Sequence, residues 1–227
     1  MTNTERLQGV QRAQRIALEI MEEFPARLHA GMSEKDAADA LRSLCLARPS
    51  VDQALTDMVL SGPNSTHFHR FASDRSIRPH ELILIDFSIV VDGWYSDMTR
   101  MFSIGEPEPE AVQICSLLER ICAEMAQVAH SGVCCGDLYD LAMEKIRHAG
   151  YGTFFPHRLG HGIGREMHEA PSLASGSREV LTEGTVFSIE PGIYLPGRFG
   201  ARLEDLYCVT AEGVRRIGEQ PGKLQIL

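Results

Sequence analysis

Residues 82–102, LILIDFSIVVDGWYSDMTRMF, place two acids in an otherwise apolar stretch. The continuous apolar run Leu82–Ile85 is typical of a strand that is buried on both faces. It leads directly to Asp86, and Asp97 follows beyond an Asp92-Gly93 turn signal. Because a buried carboxylate is costly unless a positive charge faces it, this stretch predicts a strand hairpin whose two acids face a positively charged partner.

The first hairpin brings its two acids together if its connection has four residues, from Val90 to Gly93. Antiparallel pairing then predicts that Asp86 lies directly opposite Asp97, with Cβ atoms about 4.5–5.5 Å apart. Two carboxylates at that distance raise each other's pKa unless something positive lies between them. A proton or a metal ion would meet this requirement.

A second hairpin repeats the pattern. A three-residue loop, Pro196–Arg198, predicts that Glu190 at the end of VFSIE faces Glu204 in ARLEDLY. One such pair alone would favour salt bridges on an exposed face. Two matched pairs favour two divalent cations, because four converging carboxylates carry too much negative charge for protons to neutralise at pH 7.

Residues 157–171, HRLGHGIGREMHEAP, add three histidines separated by glycines. Imidazole is a good ligand for Mn, Fe, Co and Zn, and glycines let the backbone pass close to a crowded centre. One nitrogen ligand with four carboxylates suits Mn, Co or Fe better than structural zinc. The alternative for each histidine is a role in packing alone.

Composition bounds the class of protein. The chain has 227 residues, is 44% hydrophobic and 23% charged, and carries a formal charge of −9, which argues against a nucleic-acid partner or an acidic membrane surface. The polar N-terminus lacks the apolar centre of a secretory signal, so we expect a cytoplasmic protein. The six cysteines show no zinc-finger spacing, and we expect free thiols.

The two halves of the chain resemble each other, and we predict an internal duplication. Helices are predicted from about residue 4 to 24, after the N-cap Ser33, after Pro107 and near Gly136. The segments that suggest the duplication are GMSEKDAADAL (31–41) with GVCCGDLYDLA (132–142), and HELILIDF (80–87) with GTVFSIEP (184–191), both apolar strands that end on an acid. The expected result is one α+β domain whose halves face each other across a cleft.

Four segments together resemble the pita-bread metallopeptidases, which comprise methionine aminopeptidases, aminopeptidase P, prolidases and creatinase. They are LIDFSIVVDGWYSDMTRMF, HRLGHGIGREMHEAP, FSIEPGIY and ARLEDLYCVT. The resemblance implies an α+β pita-bread fold with two pseudo-symmetric halves around a central antiparallel sheet and helices outside. It covers residues 1–227 as a single catalytic domain, without the extra N-terminal domain of most prolidases.

The resemblance also implies a role for individual residues. The implied ligands of two divalent metal ions are Asp86, Asp97, His161, Glu190 and Glu204, of which Asp97 and Glu204 bridge the ions. Glu190 would also be catalytic, as would His168 and His69 beside the scissile carbonyl. His157 and Arg202 are similar to a pair in the proline-specific branch that either binds the substrate or lies just outside the metal ligands.

Small signatures favour that branch. GIY after IEP, and RLED, look like aminopeptidase P and prolidase, whereas Ser88 and Met101 depart from the pattern of that branch. The expected function is therefore hydrolysis, by two divalent ions, of a peptide bond near a free N-terminus, with Xaa-Pro favoured. Mn or Co is the favoured metal, and Fe or Zn is the alternative.

Three other functions stay open at this point. The scaffold could hydrolyse or eliminate a small non-peptide metabolite, act as a methionine aminopeptidase, or serve as a metal-free binding module. The expected partner is a peptide or small-molecule substrate, with no nucleic acid and no membrane. The sequence does not decide between a monomer and a homodimer.

Overall fold

A computed structural model of the protein describes residues 2–218 and 222–227. The α-helices in this part of the chain are α1 (Asn3–Glu23), α2 (Glu34–Leu46), α3 (Pro109–Val128) and α4 (Cys135–His148), with short 3₁₀ turns at Phe24–Arg27, Gly62–Thr66 and Gly152–Phe154. The strands are β1 (Gln53–Ser61), β2 (Leu82–Val91), β3 (Trp94–Tyr95), β4 (Met98–Ser103), β5 (Gly160–Gly162), β6 (Glu169–Leu173), β7 (Val186–Ile189), β8 (Gly192–Leu195), β9 (Phe199–Arg202), β10 (Asp205–Thr210), β11 (Gly213–Arg216) and β12 (Leu224–Ile226). Among the described residues, no helix combines the length and apolarity needed to cross a bilayer.

The strands form two larger sheets that meet at one point. The first has the order β1-β2-β4-β12 with β3 beside β2, the second has the order β11-β10-β7-β5-β6, and β8 and β9 form a separate ribbon. Pairing is antiparallel except between β4 and β12. An isolated bridge between Thr99 of β4 and Glu204, which lies just before β10, connects the two sheets. The duplication of the halves stays a prediction, although each half contributes two helices and most strands of one sheet.

Strand β2 explains the apolar run in the opening stretch. Ile83 and Ile85 contribute to the core under α1 and α2, whereas Leu82 and Leu84 contribute to the core under α3 and α4. Successive side chains of a strand point to opposite faces, so a strand between two cores must be apolar at consecutive positions. Asp86 continues the face of Leu82 and Leu84, and this face leads into the junction between the sheets.

The helix predictions are confirmed within about two residues at most ends. Helix α2 begins as expected, because the Ser33 side chain accepts from the backbone N–H of Asp36 and the Asp36 carboxylate accepts from Ser33. This reciprocal pair satisfies two backbone donors that would otherwise lack partners at the start of the helix. The same arrangement, with Thr2 and Glu5, starts α1.

The predicted register of the first hairpin is wrong. Val91 pairs with Trp94 and Asp86 pairs with Thr99, so Asp97 is not opposite Asp86. Asp92 and Gly93 both have positive φ, at 52° and 69°, which makes a two-residue connection instead of the four-residue one.

Asp86 is also not the last residue of its strand. β2 continues through Val91, and the return strand is instead interrupted at Ser96 and Asp97 between β3 and β4. Asp97 therefore lies in a break of the ladder, close to the face that carries Asp86 and Thr99.

The second hairpin has the predicted register. Leu195 pairs with Phe199 across the three-residue loop, and Gly192 pairs with Arg202. The same register continues where Ile189 pairs with Asp205. Glu190 and Glu204 therefore occupy matching positions between the two ladders.

Candidate metal centre

A cleft of about 550 Å³ opens where the two sheets meet. It contains all nine residues that the sequence singled out for the site. The lining residues are Met58, Phe68, His69, Asp86, Asp97, His157, Arg158, His161, Met167, His168, Glu190, Arg202 and Glu204. The fold thus brings together side chains that are separated by more than a hundred positions in the chain.

His161 lies at the centre of the acids. Its Nε2 is 3.4 Å from Glu190 Oε1, 3.5 Å from Asp97 Oδ2 and 4.0 Å from Glu204 Oε1. Its Nδ1 is 3.0 Å from the carbonyl oxygen of Gly162 and donates to it, which leaves the lone pair on Nε2 directed toward the acids. Burial lowers the pKa of His161 to about 3, so the ring is neutral, as a metal ligand must be.

The buried carboxylates of the cleft disfavour ionisation when no cation is bound. Burial, reinforced by the neighbouring acids, raises the pKa of Glu204 and of Asp97 well above their ordinary values. Burial also raises the pKa of Glu190 to about 7. Within the described chain, the buried Oε1 of Glu204 has no hydrogen-bond partner.

This donor set fits divalent cations. Ligand atoms of Asp97, His161 and Glu204 lie within 4.8 Å of one another. A buried polar atom without a partner is rare in proteins and costly, and a cation would satisfy Glu204 Oε1 while neutralising its neighbours. Oxygen-rich sites with one imidazole suit Mn, Co or Fe.

Asp86 is held by a buried arginine. Arg202 forms an ion pair with the Asp86 carboxylate and donates from Nε to Thr99 Oγ1 at 3.0 Å. Thr99 Oγ1 in turn donates to Glu204 Oε2 at 2.9 Å. Arg202 therefore offsets part of the negative charge and links two of the predicted ligands.

The same arginine leads to His157. Arg202 donates to the Tyr194 hydroxyl at 2.7 Å, and this hydroxyl lies 2.9 Å from His157 Nε2. His157 Nδ1 lies 2.7 Å from the Arg158 carbonyl oxygen and donates to it, so Nε2 accepts from the hydroxyl. Burial, with Arg202 nearby, lowers the pKa of His157 to about 3 and keeps it neutral in this chain of hydrogen bonds.

His168 lies on the connection between β5 and β6, His69 lies on the connection between β1 and β2, and both line the cleft. The His168 ring is perpendicular to the His161 ring, with centroids 4.4 Å apart. The turn before His168 is fixed by Glu169, whose carboxylate accepts from the backbone N–H of Arg165 at 2.8 Å and of Glu166 at 3.0 Å. Both histidines are exposed, and the His69 ring lies 4.7 Å from the Phe68 ring.

Sequence reasoning missed several residues of the site, of which Arg158 and Gln14 make the contacts least expected from the sequence. Arg158 is half-buried in the cleft and forms no ion pair with any described residue, although four carboxylates share the cleft. Its position inside the histidine motif could have drawn attention to it. Gln14 of α1 donates to the carbonyl oxygen of Asp97 and accepts from its N–H, both at 3.0 Å, and no local sequence signal announces this contact.

The two departures from the family pattern lie outside the cleft. Ser88 is buried and its hydroxyl donates to the carbonyl oxygen of Ser96. Met101 is fully buried and packs in the core under α3 and α4, opposite Leu84. Neither side chain is among the residues that line the cleft.

Comparisons with known proteins agree with this geometry. The profile of metallopeptidase family M24 matches residues 8–211. A probable dipeptidase PepE of Mycobacterium bovis is 36% identical over 204 residues, which are 89% of this chain and 54% of that protein. An Xaa-Pro dipeptidase of Lactobacillus delbrueckii subsp. lactis is 35% identical over 201 residues, which are 88% of this chain and 55% of that protein.

Solved structures share the fold. The crystal structure of an X-Pro aminopeptidase from Thermotoga maritima superposes with a TM-score of 0.94 at 33% identity, covering 99% of this chain and 64% of that chain. An Xaa-Pro dipeptidase from Bacillus anthracis gives a TM-score of 0.93 at 32% identity, covering 98% of this chain and 63% of that one. The pita-bread fold is thereby confirmed. The chain spans about half the length of the curated relatives it matches.

Proposed function

The chain belongs to metallopeptidase family M24, and on that premise we propose that it hydrolyses the peptide bond before proline in short peptides with a free N-terminus, using two divalent metal ions. The observation that carries the proposal is the buried cluster of one neutral imidazole and four carboxylates in a single cleft. The names of the similar proteins, Xaa-Pro dipeptidase and X-Pro aminopeptidase, support the choice of bond.

We assign the metal ligands as the sequence suggested. Asp86, Asp97, His161, Glu190 and Glu204 would hold the ions, which when bound acidify a water molecule and polarise the substrate carbonyl. Mn or Co is the proposed metal because the ligands are mostly oxygens. The six cysteines are free thiols, which supports the proposed cytoplasmic location.

The remaining chemistry belongs to the side chains of the cleft. Glu190 is the proposed proton acceptor and donor, because a carboxyl with a pKa near neutrality can do both. His168 and His69 would donate to the oxygen of the scissile carbonyl as negative charge develops on it. A donor of this kind contributes about 3 kcal/mol to stabilising the transition state.

A substrate comparison tests the proposal. Protein reconstituted with Mn²⁺ should hydrolyse Ala-Pro and Phe-Pro at least about tenfold faster, as kcat/KM, than Ala-Ala, Phe-Ala or Met-Ala. A difference of about 1.4 kcal/mol or more in transition-state binding between the two kinds of dipeptide gives at least this ratio. Release of the free amino acid measures the rate, and chelator-treated protein checked by elemental analysis is the control. Equal rates on all dipeptides, or rates that survive complete removal of metal, would contradict the proposal.

Arg158 indicates that the substrate carries its own carboxylate near the cleaved bond. The guanidinium has no ion-pair partner among the described residues, and it lines the same cleft as the proposed metal ligands. We infer that it binds the C-terminal carboxylate of a dipeptide, a contact typical of arginine.

Replacing Arg158 by Gln should lower kcat/KM on Ala-Pro by about tenfold to a hundredfold, because a hydrogen-bonded charge contributes about 1.5–3 kcal/mol. On Ala-Pro amide, which lacks the carboxylate, the same substitution should change kcat/KM less than about twofold. Arg178→Gln, on the exposed surface, is the matched control. Equal losses on the acid and the amide would show that Arg158 does not bind the carboxylate.

A further inference from the structure

Glu34 is a buried acid that the proposed chemistry does not use. It is the first residue of α2, its side chain is fully buried, and it lies outside the cleft. A carboxylate at such a position needs several donors to offset the loss of water. The structure supplies five, and all of them belong to one loop.

The donors come from both ends of the loop 61–73. Glu34 Oε1 accepts from the backbone N–H and the hydroxyl of Ser61, at 2.7 and 2.9 Å. Glu34 Oε2 accepts from Asn64 Nδ2 at 2.9 Å, and from the hydroxyl and N–H of Ser73 at 2.7 and 3.2 Å. One side chain thus joins the start of the loop to its end.

The start of α2 adds two backbone contacts to the same end of the loop. The N–H of Glu34 donates to the carbonyl oxygen of Arg75 at 2.9 Å, and the N–H of Lys35 donates to that of Ser73 at 3.1 Å. These are N–H groups that a helix cannot satisfy internally. The base of the loop is therefore docked on the first turn of α2.

The tip of this loop reaches the cleft. Phe68 and His69 line the cleft, and the Phe68 ring lies 5.5 Å from the His157 ring and 5.6 Å from the Tyr194 ring. In the described chain, the backbone hydrogen bonds of residues 67–71 stay within the loop. The tip is therefore held by the packing of the Phe68 side chain and by the base of the loop.

We propose that Glu34 is a positioning residue for the reaction, acting through the loop that presents Phe68 and His69 to the substrate. The inference rests on the proposed function for the identity of that substrate. Loss of the carboxylate would leave buried donors of Ser61, Asn64 or Ser73 without partners, which loosens the base of the loop. A displacement of about 1 Å at a substrate-positioning group can cost about a hundredfold in rate.

The test is the nearly isosteric substitution Glu34→Gln. We expect kcat/KM on Ala-Pro to fall about tenfold or more, and the amides of residues 61–73 to exchange faster with deuterium. The affinity for Mn²⁺, measured by calorimetry, should stay within about twofold, because the ligands lie on other elements. Asp36→Asn is the matched control, since it weakens the cap of the same helix but contacts no residue of the loop.

A double-mutant cycle separates positioning from a general structural role. In a Phe68→Ala/His69→Ala background, Glu34→Gln should cost less than a further twofold, because the groups through which it acts are gone. Three results would overturn the proposal. They are an undiminished loss of kcat/KM in this background, a loss of Mn²⁺ affinity as large as the loss of kcat/KM, and unchanged deuterium exchange of residues 61–73.

Two further measurements keep the test decisive. If Glu34→Gln does not fold, Ser73→Ala removes one of the five contacts and should produce the same changes at smaller size. If the unmutated protein cleaves no Xaa-Pro peptide, the proposed function fails, but deuterium exchange and Mn²⁺ affinity still decide whether Glu34 holds the loop.

Discussion

Glu204→Gln should reduce hydrolysis of Ala-Pro by at least about a thousandfold and lower the metal content from about two ions per chain to less than one. The carboxylate is buried, and its Oε1 has no hydrogen-bond partner among the described residues. An amide at this position would lose the negative charge and one of the two oxygens with which Glu204 would hold the cations. Elemental analysis after incubation with Mn²⁺, followed by activity measurement, checks both parts.

The same substitution should stabilise the metal-free protein. Burial and the carboxylates of Asp97 and Glu190 raise the pKa of Glu204, so its ionised form opposes folding when no cation is bound. Removing a repulsion of about 1–2 kcal/mol raises the Tm of a chain of this size by about 2–8 °C. Glu144→Gln, on the exposed face of α4, is the control for a change of net charge alone. A lower Tm in the metal-free variant, or undiminished binding of Mn²⁺, would contradict a bridging role.

The predictable part of the fold was local. The caps of α2, the apolar strand β2 and the three-residue loop Pro196–Arg198 follow from short-range chemistry, and the structure has all three. The register predicted for the first hairpin is wrong because it depends on whether Asp92 adopts positive φ. With positive φ at Asp92 the connection is two residues shorter. Either choice satisfies the apolar pattern, because a shift of two residues keeps every side chain on the same face.

The site was predictable as a set of residues but not as an arrangement. The nine side chains share one cleft even though Asp86 pairs with Thr99 and not with Asp97. What brings Asp97 to the cleft is a break in the return strand, where Gln14 of α1 takes the place of a strand partner. A contact between residues so far apart in the chain leaves no trace in local periodicity.

The charge balance of the cleft also required the structure. Sequence spacing suggested four acids and favoured two divalent cations to neutralise them. Arg202 was expected either to bind the substrate or to lie around the metal ligands, and it pairs with Asp86 and contacts Thr99. Arg158, which the sequence reasoning passed over, is the cleft guanidinium that forms no ion pair with a described residue.

Glu190→Gln should lower kcat on Ala-Pro by about a thousandfold while the protein still binds Mn²⁺ at saturating concentration. The amide keeps an oxygen that can accept from Ser188 Oγ, which lies 3.3 Å from Glu190 Oε1. It cannot take up a proton, and general-base catalysis contributes about a hundredfold to ten-thousandfold. Glu190 differs here from Glu204, because its side chain is 14% exposed toward the cleft while that of Glu204 is 2% exposed.

Comparison of the two variants assigns the roles. Glu204→Gln should lose metal and activity together, whereas metal-saturated Glu190→Gln should lose activity with metal still present. The measurement is kcat at saturating substrate and Mn²⁺, with metal content determined on the same sample and Glu144→Gln as control. If metal-saturated Glu190→Gln keeps more than about a tenth of the activity, another group moves the proton. His168, whose ring faces that of His161, is then the side chain to replace next.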